Sequence, residues 1–191
     1  MAKLRTPRLG QGHFDRVSSL EMSKSLYSSR TRALSLDEVP EPLRVAVVDH
    51  AAKTALLLRD VRVWLTHREN PESSSFLGRL FGRRSNPVDA DPAHDMILVL
   101  HPTHAIVGTH GPSRGTAVIS VPLAHATATR GHALAGKLGG DVPMDDGVTL
   151  SGFPGTEGRP GTYFVGLGPG PDAEACFEAV TNAILRAKNP G

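Results

Sequence analysis

Between residues 61 and 167 the sequence falls into short apolar runs separated by turn-forming residues. That pattern favours a strand-rich fold over a helical bundle. In LLLRDVRVWLTH, Val61, Val63 and Leu65 alternate with Arg62, Trp64 and Thr66, the period of a strand. MILVL at 96–100 is a continuous run of the kind a doubly covered strand shows. HPTH is a turn, AIVGTH a strand and GPSRG a tight turn. TAVISVPLAHATAT at 116–129 reads as one longer strand bent at Pro122. VTLSGF at 148–153 and TYFVGL up to residue 167 supply the last two strands. Aromatics are only 5% of the chain, so Val, Leu, Ile and Ala must fill the core.

Two helices flank this block. EPLRVAVVDHAAKTA, near 40–54, places Leu43, Val47 and Ala51 at helical spacing. Asp37, Glu38 and Glu41 complement its amino end, and Pro40 or Pro42 suits the first turn. PDAEACFEAVTNAILRAK at 171–188 opens on Pro171, Asp172 and Glu174 and closes on Arg186 and Lys188. Ala173, Phe177, Val180 and Ile184 form its apolar stripe, which should lie on the sheet. The fold class expected is therefore α+β: a small antiparallel β-barrel or sandwich of about six to seven strands, plugged by the C-terminal helix.

Residues 1–36 differ from the rest. Seven basic side chains against two acidic ones give them a charge of +5, while the remainder carries −3. A basic arm on an acidic body is a pattern of interaction rather than of folding. We read 1–36 as an extended arm and 37–191 as the domain. Charge pairing alone cannot order such an arm, since exposed pairs contribute about 0–1 kcal/mol each. Ordering must come from apolar side chains, and Leu20, Met22, Leu26, Tyr27 and Leu34 are the candidates, with Arg30 and Arg32 beside them. They are expected to dock on another chain.

Residues 69–95 form a long loop insertion with an amphipathic patch, FLGRLFGRR. One and a half helical turns would place Phe76, Leu77, Leu80 and Phe81 on one face, flanked by Arg79, Arg83 and Arg84. Either this patch contacts a partner, or it folds back as a satellite cluster on the domain.

HDMILVLHPTHAIVGTHG, GTAVISVPLAHATAT and GTYFVGLGPGPDAEACFEAVTNAILRAK together resemble the bacterial pleckstrin-homology-like (PH-like) domains, over roughly residues 55–188. They look like the second, third and fourth strands, and the final strand, turn and plugging helix, of that family. The resemblance implies a non-enzymatic scaffold that binds lipids, peptides or proteins. In that family the loop between the first two strands often carries ligand-binding basic residues. Here it holds Arg79, Arg83 and Arg84 but is followed at once by Asp89, Asp91 and Asp95. No Lys/Arg pair runs from the first strand into the second, a departure from the lipid-binding pattern.

Catalytic chemistry finds little support. His101 and His104 form an H-x-x-H near Asp95 and His110, but Pro102 between them puts the pair in a turn. The one cysteine, Cys176, sits beside the terminal apolar stripe, where a thiol is a small hydrophobe. GLGPGPDAE lacks the G-x-G-x-x-G spacing, and its acidic first turn would repel pyrophosphate. GTHGPSRG lacks the Lys of a P-loop. Asp145 and Asp146 read as a solvated turn, and Trp64 as packing. No catalytic residue, metal ligand or cofactor is expected.

A cytoplasmic location is expected, from the single cysteine and from a start without an apolar signal core. The leading expectation is an assembly module that contacts a protein partner through the arm and the 76–84 patch. The alternative is peripheral binding to an anionic membrane, with Phe76 and Phe81 inserted. Nucleic-acid binding by the arm ranks lower, because aromatics suited to stacking are missing; a metal-dependent hydrolase ranks last.

Overall fold

A computed structural model describes residues 26–72, 84–86, 88–131, 145–155 and 159–191. Within them the chain builds two antiparallel sheets and two α-helices. The first sheet has the order β1-β2-β3-β4-β5: Ser28–Leu34, Arg62–Glu69, Ala93–Leu100, His104–Gly111 and Gly115–Pro122. The second has the order β6-β7-β8: Thr127–Arg130, Gly147–Phe153 and Gly161–Gly166. No ladder joins the two sheets among the described residues, so the layout is a sandwich rather than a closed barrel.

Helix α1, Glu41–Lys53, lies on the outer face of the large sheet, and α2, Pro171–Lys188, packs against β1, β6 and β7. The central strands β2, β3 and β4 of the large sheet are thus buried on both faces. Trp64, Met96, Leu98, Leu100 and Val107 point inward, onto Val148, Leu150 and the buried side of α2. Val63, Leu65, Ile97, Val99 and Ile106 point outward, onto Leu43 and Val47 of α1. Double coverage is why MILVL shows no alternation. It also explains Trp64, which is 2% exposed on the face that alternation alone would assign to solvent.

Three expectations need correction. The run 116–129 is two strands: β5 ends at Pro122, residues 123–126 turn, and β6 begins in the other sheet. Pro122 lacks the N–H that would continue a ladder. In α2 Cys176 is as fully buried as Val180, both with 0% exposure, while Phe177 is half-buried at the margin under the Arg130 guanidinium. Burial pushes the Cys176 thiol up to about 12, so it is a packing group.

The third correction concerns the arm. Residues 28–34 are a strand that pairs with β2 over seven positions, from Ser28↔Glu69 to Leu34↔Val63. Leu34, expected to dock on another chain, packs on the outer core, opposite Val63. The outer edge of β1 is held as well: Thr31 Oγ1 donates to the Leu167 carbonyl, and Asp172 accepts the Ala33 N–H at 3.2 Å. A strand edge covered in this way is protected from pairing with other chains.

Candidate functional site

The site most densely built from polar side chains lies at one mouth of the sandwich. Arg68 enters it from the inner face of β2, four residues beyond Trp64. Its side chain is only 7% exposed, and its Nη2 donates to Asp145 Oδ2 at 2.5 Å. The Tyr27 ring lies 4.0 Å from the guanidinium carbon, and Nε donates to Ser29 Oγ at 3.2 Å. Gly166 gives the guanidinium room, since a Cβ there would stand 2.5 Å from Cζ. Burial pulls the Arg68 pKa down, opposed by Asp145.

A second arginine closes the mouth. Arg114, in the β4–β5 turn, donates from Nε to Asp91 Oδ2 at 2.8 Å and from Nη2 to Asp89 Oδ1 at 2.5 Å. Burial alone would raise Asp91, but hydrogen bonds from Arg114 and Ser113 hold it at about 2. Burial works against Asp89 too, yet Tyr27 and Arg114 lower it. Gly111 lets Asp91 approach the turn, because a Cβ there would collide with that carboxylate.

His94 stands among these charges, with its side chain 2% exposed. Its Nδ1 lies 3.6 Å from Asp89 Oδ2 and has no hydrogen-bond partner. Burial first, then the positive Arg114 and Arg68, push its pKa down to about 4. The imidazole is therefore neutral near pH 7.

The residues singled out in the sequence distribute as follows. The Leu26 N–H donates to Asp145 Oδ1 at 3.1 Å. Tyr27 Oη donates to Asp89 at 2.6 Å and accepts from Asn86 Nδ2 at 2.8 Å. Arg84 pairs with Glu72 in an isolated bridge and donates to the Asn70 carbonyl at 3.0 Å. Arg30 and Arg32 are exposed on the outer face of the large sheet, away from this mouth. Leu20, Met22, Phe76, Leu77, Arg79, Leu80, Phe81 and Arg83 lie outside the described residues.

Asp145, read as part of a solvated turn, is instead a largely buried side chain, 12% exposed, that pairs with Arg68, and this overturns the reading. Arg68, His94 and Arg114 were not singled out at all. The available signal was Trp64: a buried Trp implies that Arg68, four residues on, shares its inward face.

The H-x-x-H forms the β3–β4 turn. His101 Nδ1 accepts from the Thr103 N–H at 3.1 Å, its Nε2 donates to the Leu57 carbonyl at 3.1 Å, and His104 Nδ1 bonds Thr103 Oγ1 at 2.8 Å. Asp95 bonds His67 at 2.7 Å, and His110 bonds Thr116 at 2.7 Å. Among the described residues no group of three or more His, Cys, Asp or Glu is placed to hold a metal ion. No described helix is long and apolar enough to cross a membrane.

Comparison with protein-family models, with curated proteins and with solved structures returned no match.

Proposed function

We propose that this chain is a non-enzymatic binding module on a PH-like scaffold, and that it contacts a protein partner at the mouth lined by Arg68 and Arg114. Strands β2–β5, strands β6–β8 and α2 supply the four strands, three strands and closing helix that such a scaffold needs. Strand β1 and helix α1 are then additions to its outer side.

One observation carries the assignment of the surface. The two segments marked by the sequence as contacts, the basic N-terminal stretch and the 76–84 patch, are far apart in the chain. Their described ends nonetheless meet: Tyr27 is bonded to Asn86 and Asp89, and Asn86 is bonded through Asn70 to the residues that Arg84 holds. The described ends of the two segments are thereby brought to one place, which is the surface assigned to the partner.

The arginines of the framework favour a protein over an anionic membrane. Arg68 and Arg114 are both committed to carboxylates of the chain itself, so neither is free for a lipid phosphate. Quantitative capture from native lysate provides the test. Phe76→Ser/Phe81→Ser should reduce recovery of a specific protein by about tenfold, equivalent to about 1.4 kcal/mol, with the melting temperature unchanged. Equal recovery by both proteins would refute the surface. Sedimentation with anionic vesicles, lost in the same variant, would instead support the membrane reading.

A further inference from the structure

At the opposite end of the sandwich a recess of about 350 Å³ opens between the start of β2, the β3–β4 turn and the last turns of α2. Small side chains create it: Ala183 and Ala187 on α2 leave a gap that Leu100 and Pro102 face from the other side. Two guanidinium groups line it, Arg62 and Arg186, with Asp60 as the acidic group.

Neither arginine has a carboxylate partner among the described residues, although Asp60 borders the same recess. Arg62 is nevertheless not loose. It stacks on the Trp64 ring, 4.8 Å from the ring centroid. Stacking uses the flat face of a guanidinium and leaves its edge, the fork of N–H donors, free. A fork held in place in this way suits the bidentate capture of a carboxylate or phosphate, because little side-chain freedom is lost on binding. His101 forms a fixed wall, both ring nitrogens being engaged by Thr103 and Leu57. The recess adjoins the last turns of α2, where Asn189 caps the Leu185 carbonyl through its backbone N–H and its side chain.

We propose that this recess is a binding site for a small anionic molecule. Its carboxylate or phosphate group is held by Arg62 and Arg186, and its apolar part lies against Leu100, Pro102, Ala183 and Ala187. The volume falls at the lower end of the range typical of small-ligand sites, about 300–1,000 Å³. The site is independent of the mouth at the other end and does not rest on the function proposed there.

Trp64, the single tryptophan of the chain, is a built-in reporter, because an anion that draws on the Arg62 guanidinium changes the charge over its ring. Titration of the full chain with inorganic phosphate, and separately with acetate, should give a saturable change in emission at constant ionic strength. Whichever anion saturates at the lower concentration identifies the group recognised. The same anion should raise the melting temperature, a readout that does not depend on Trp64. Arg62→Gln and Arg186→Gln should each weaken binding about tenfold or more, and Asp60→Asn should tighten it by removing a like charge. Arg44→Gln, on α1, should leave it unchanged. A response that fails to saturate with either anion, or one that survives both arginine substitutions, would overturn the proposal.

Discussion

Arg62 and Arg68 stand on the same face of the same strand, one on each side of Trp64, and meet opposite conditions. Arg68 points into a mouth where the chain supplies everything a guanidinium needs: Asp145 for charge, Tyr27 for its face and Gly166 for space. Arg62 lines a recess where the chain supplies an aromatic face for it but, among the described residues, no carboxylate bond. The residue type and the strand position are equivalent. The difference comes from the elements that converge on each end. The segment that leads into β7 brings the Asp145 carboxylate to Arg68, whereas α2 brings alanines to Arg62. An arginine whose charge is met within the fold is part of the framework; one left with its fork open is a place for something else to bind.

The largest expected effect tests that division directly. Arg68→Ala removes the guanidinium that faces the Asp145 carboxylate in a nearly closed site and should destabilise by about 3–5 kcal/mol. Arg62→Ala, on an exposed side chain without an ion partner, should change stability by about 0.5 kcal/mol or less. Urea unfolding of the two variants measures both. In the double variant Arg68→Met/Asp145→Leu the loss should be smaller than in Arg68→Ala, since no charge is left uncompensated. Equal midpoints for Arg68→Ala and Arg62→Ala would show that the two ends do not differ as argued.

A smaller effect should appear on acidification. The folded-state pKa of His94, about 4, lies below its ordinary value of 6.5. The unfolded chain therefore binds the proton first, and stability falls as pH drops from about 6.5 to about 4. At 1.36 kcal/mol per unit the loss is at most about 3 kcal/mol. His50 and His104 are also lowered by burial and act in the same direction. Below that window Asp91, held at about 2, and Asp89 continue the trend as they lose their bonds to Arg114. His94→Asn should flatten the upper part of the curve, as read by urea midpoints from pH 7 to pH 4. An unchanged slope would mean that the imidazole does not titrate among these charges.

What the sequence made legible is what local patterns encode. Helix α2 was placed at 171–188 because Pro171, the acidic first turn, the basic last turn and the apolar spacing agree with one another. Strands β2, β3, β4, β7 and β8 were visible for the same reason. Strand β1 was not: SSRTRAL is polar, with Leu34 as its one large apolar residue, and its pairing with β2 depends on partners about thirty to forty residues away. The polar mouth escaped detection for a related reason. It joins Tyr27, Arg68, His94, Arg114 and Asp145, which share no motif and come from five separate stretches of the chain. Pairwise proximity of that kind is a product of topology, and no spacing rule reports it.

The smallest effect concerns the latch that joins β1 to the mouth. Tyr27→Phe keeps the ring over Arg68 and against His94 but removes the hydroxyl that donates to Asp89 and accepts from Asn86. A hydrogen bond to a charged group contributes about 1.5–3 kcal/mol when buried, and this one is only partly buried, so a loss of about 1–2 kcal/mol is expected. Asp89 would also lose the first of the bonds that lower its pKa, so its contribution at neutral pH shrinks and the variant's stability should fall less steeply on acidification than that of the parent chain. No comparable substitution exists at the Arg62 end, where no side chain bonds across the recess. Deletion of residues 2–25 offers the control: it spares Tyr27 and all of β1, and should leave the urea midpoint unchanged. Deletion through Leu34 removes an entire strand and part of the outer core, and should abolish cooperative unfolding. If Tyr27→Phe proved as harmful as that deletion, the hydroxyl network rather than strand pairing would be what holds β1. If it had no effect at any pH, the Tyr27–Asp89 bond would contribute nothing to the stability of this mouth.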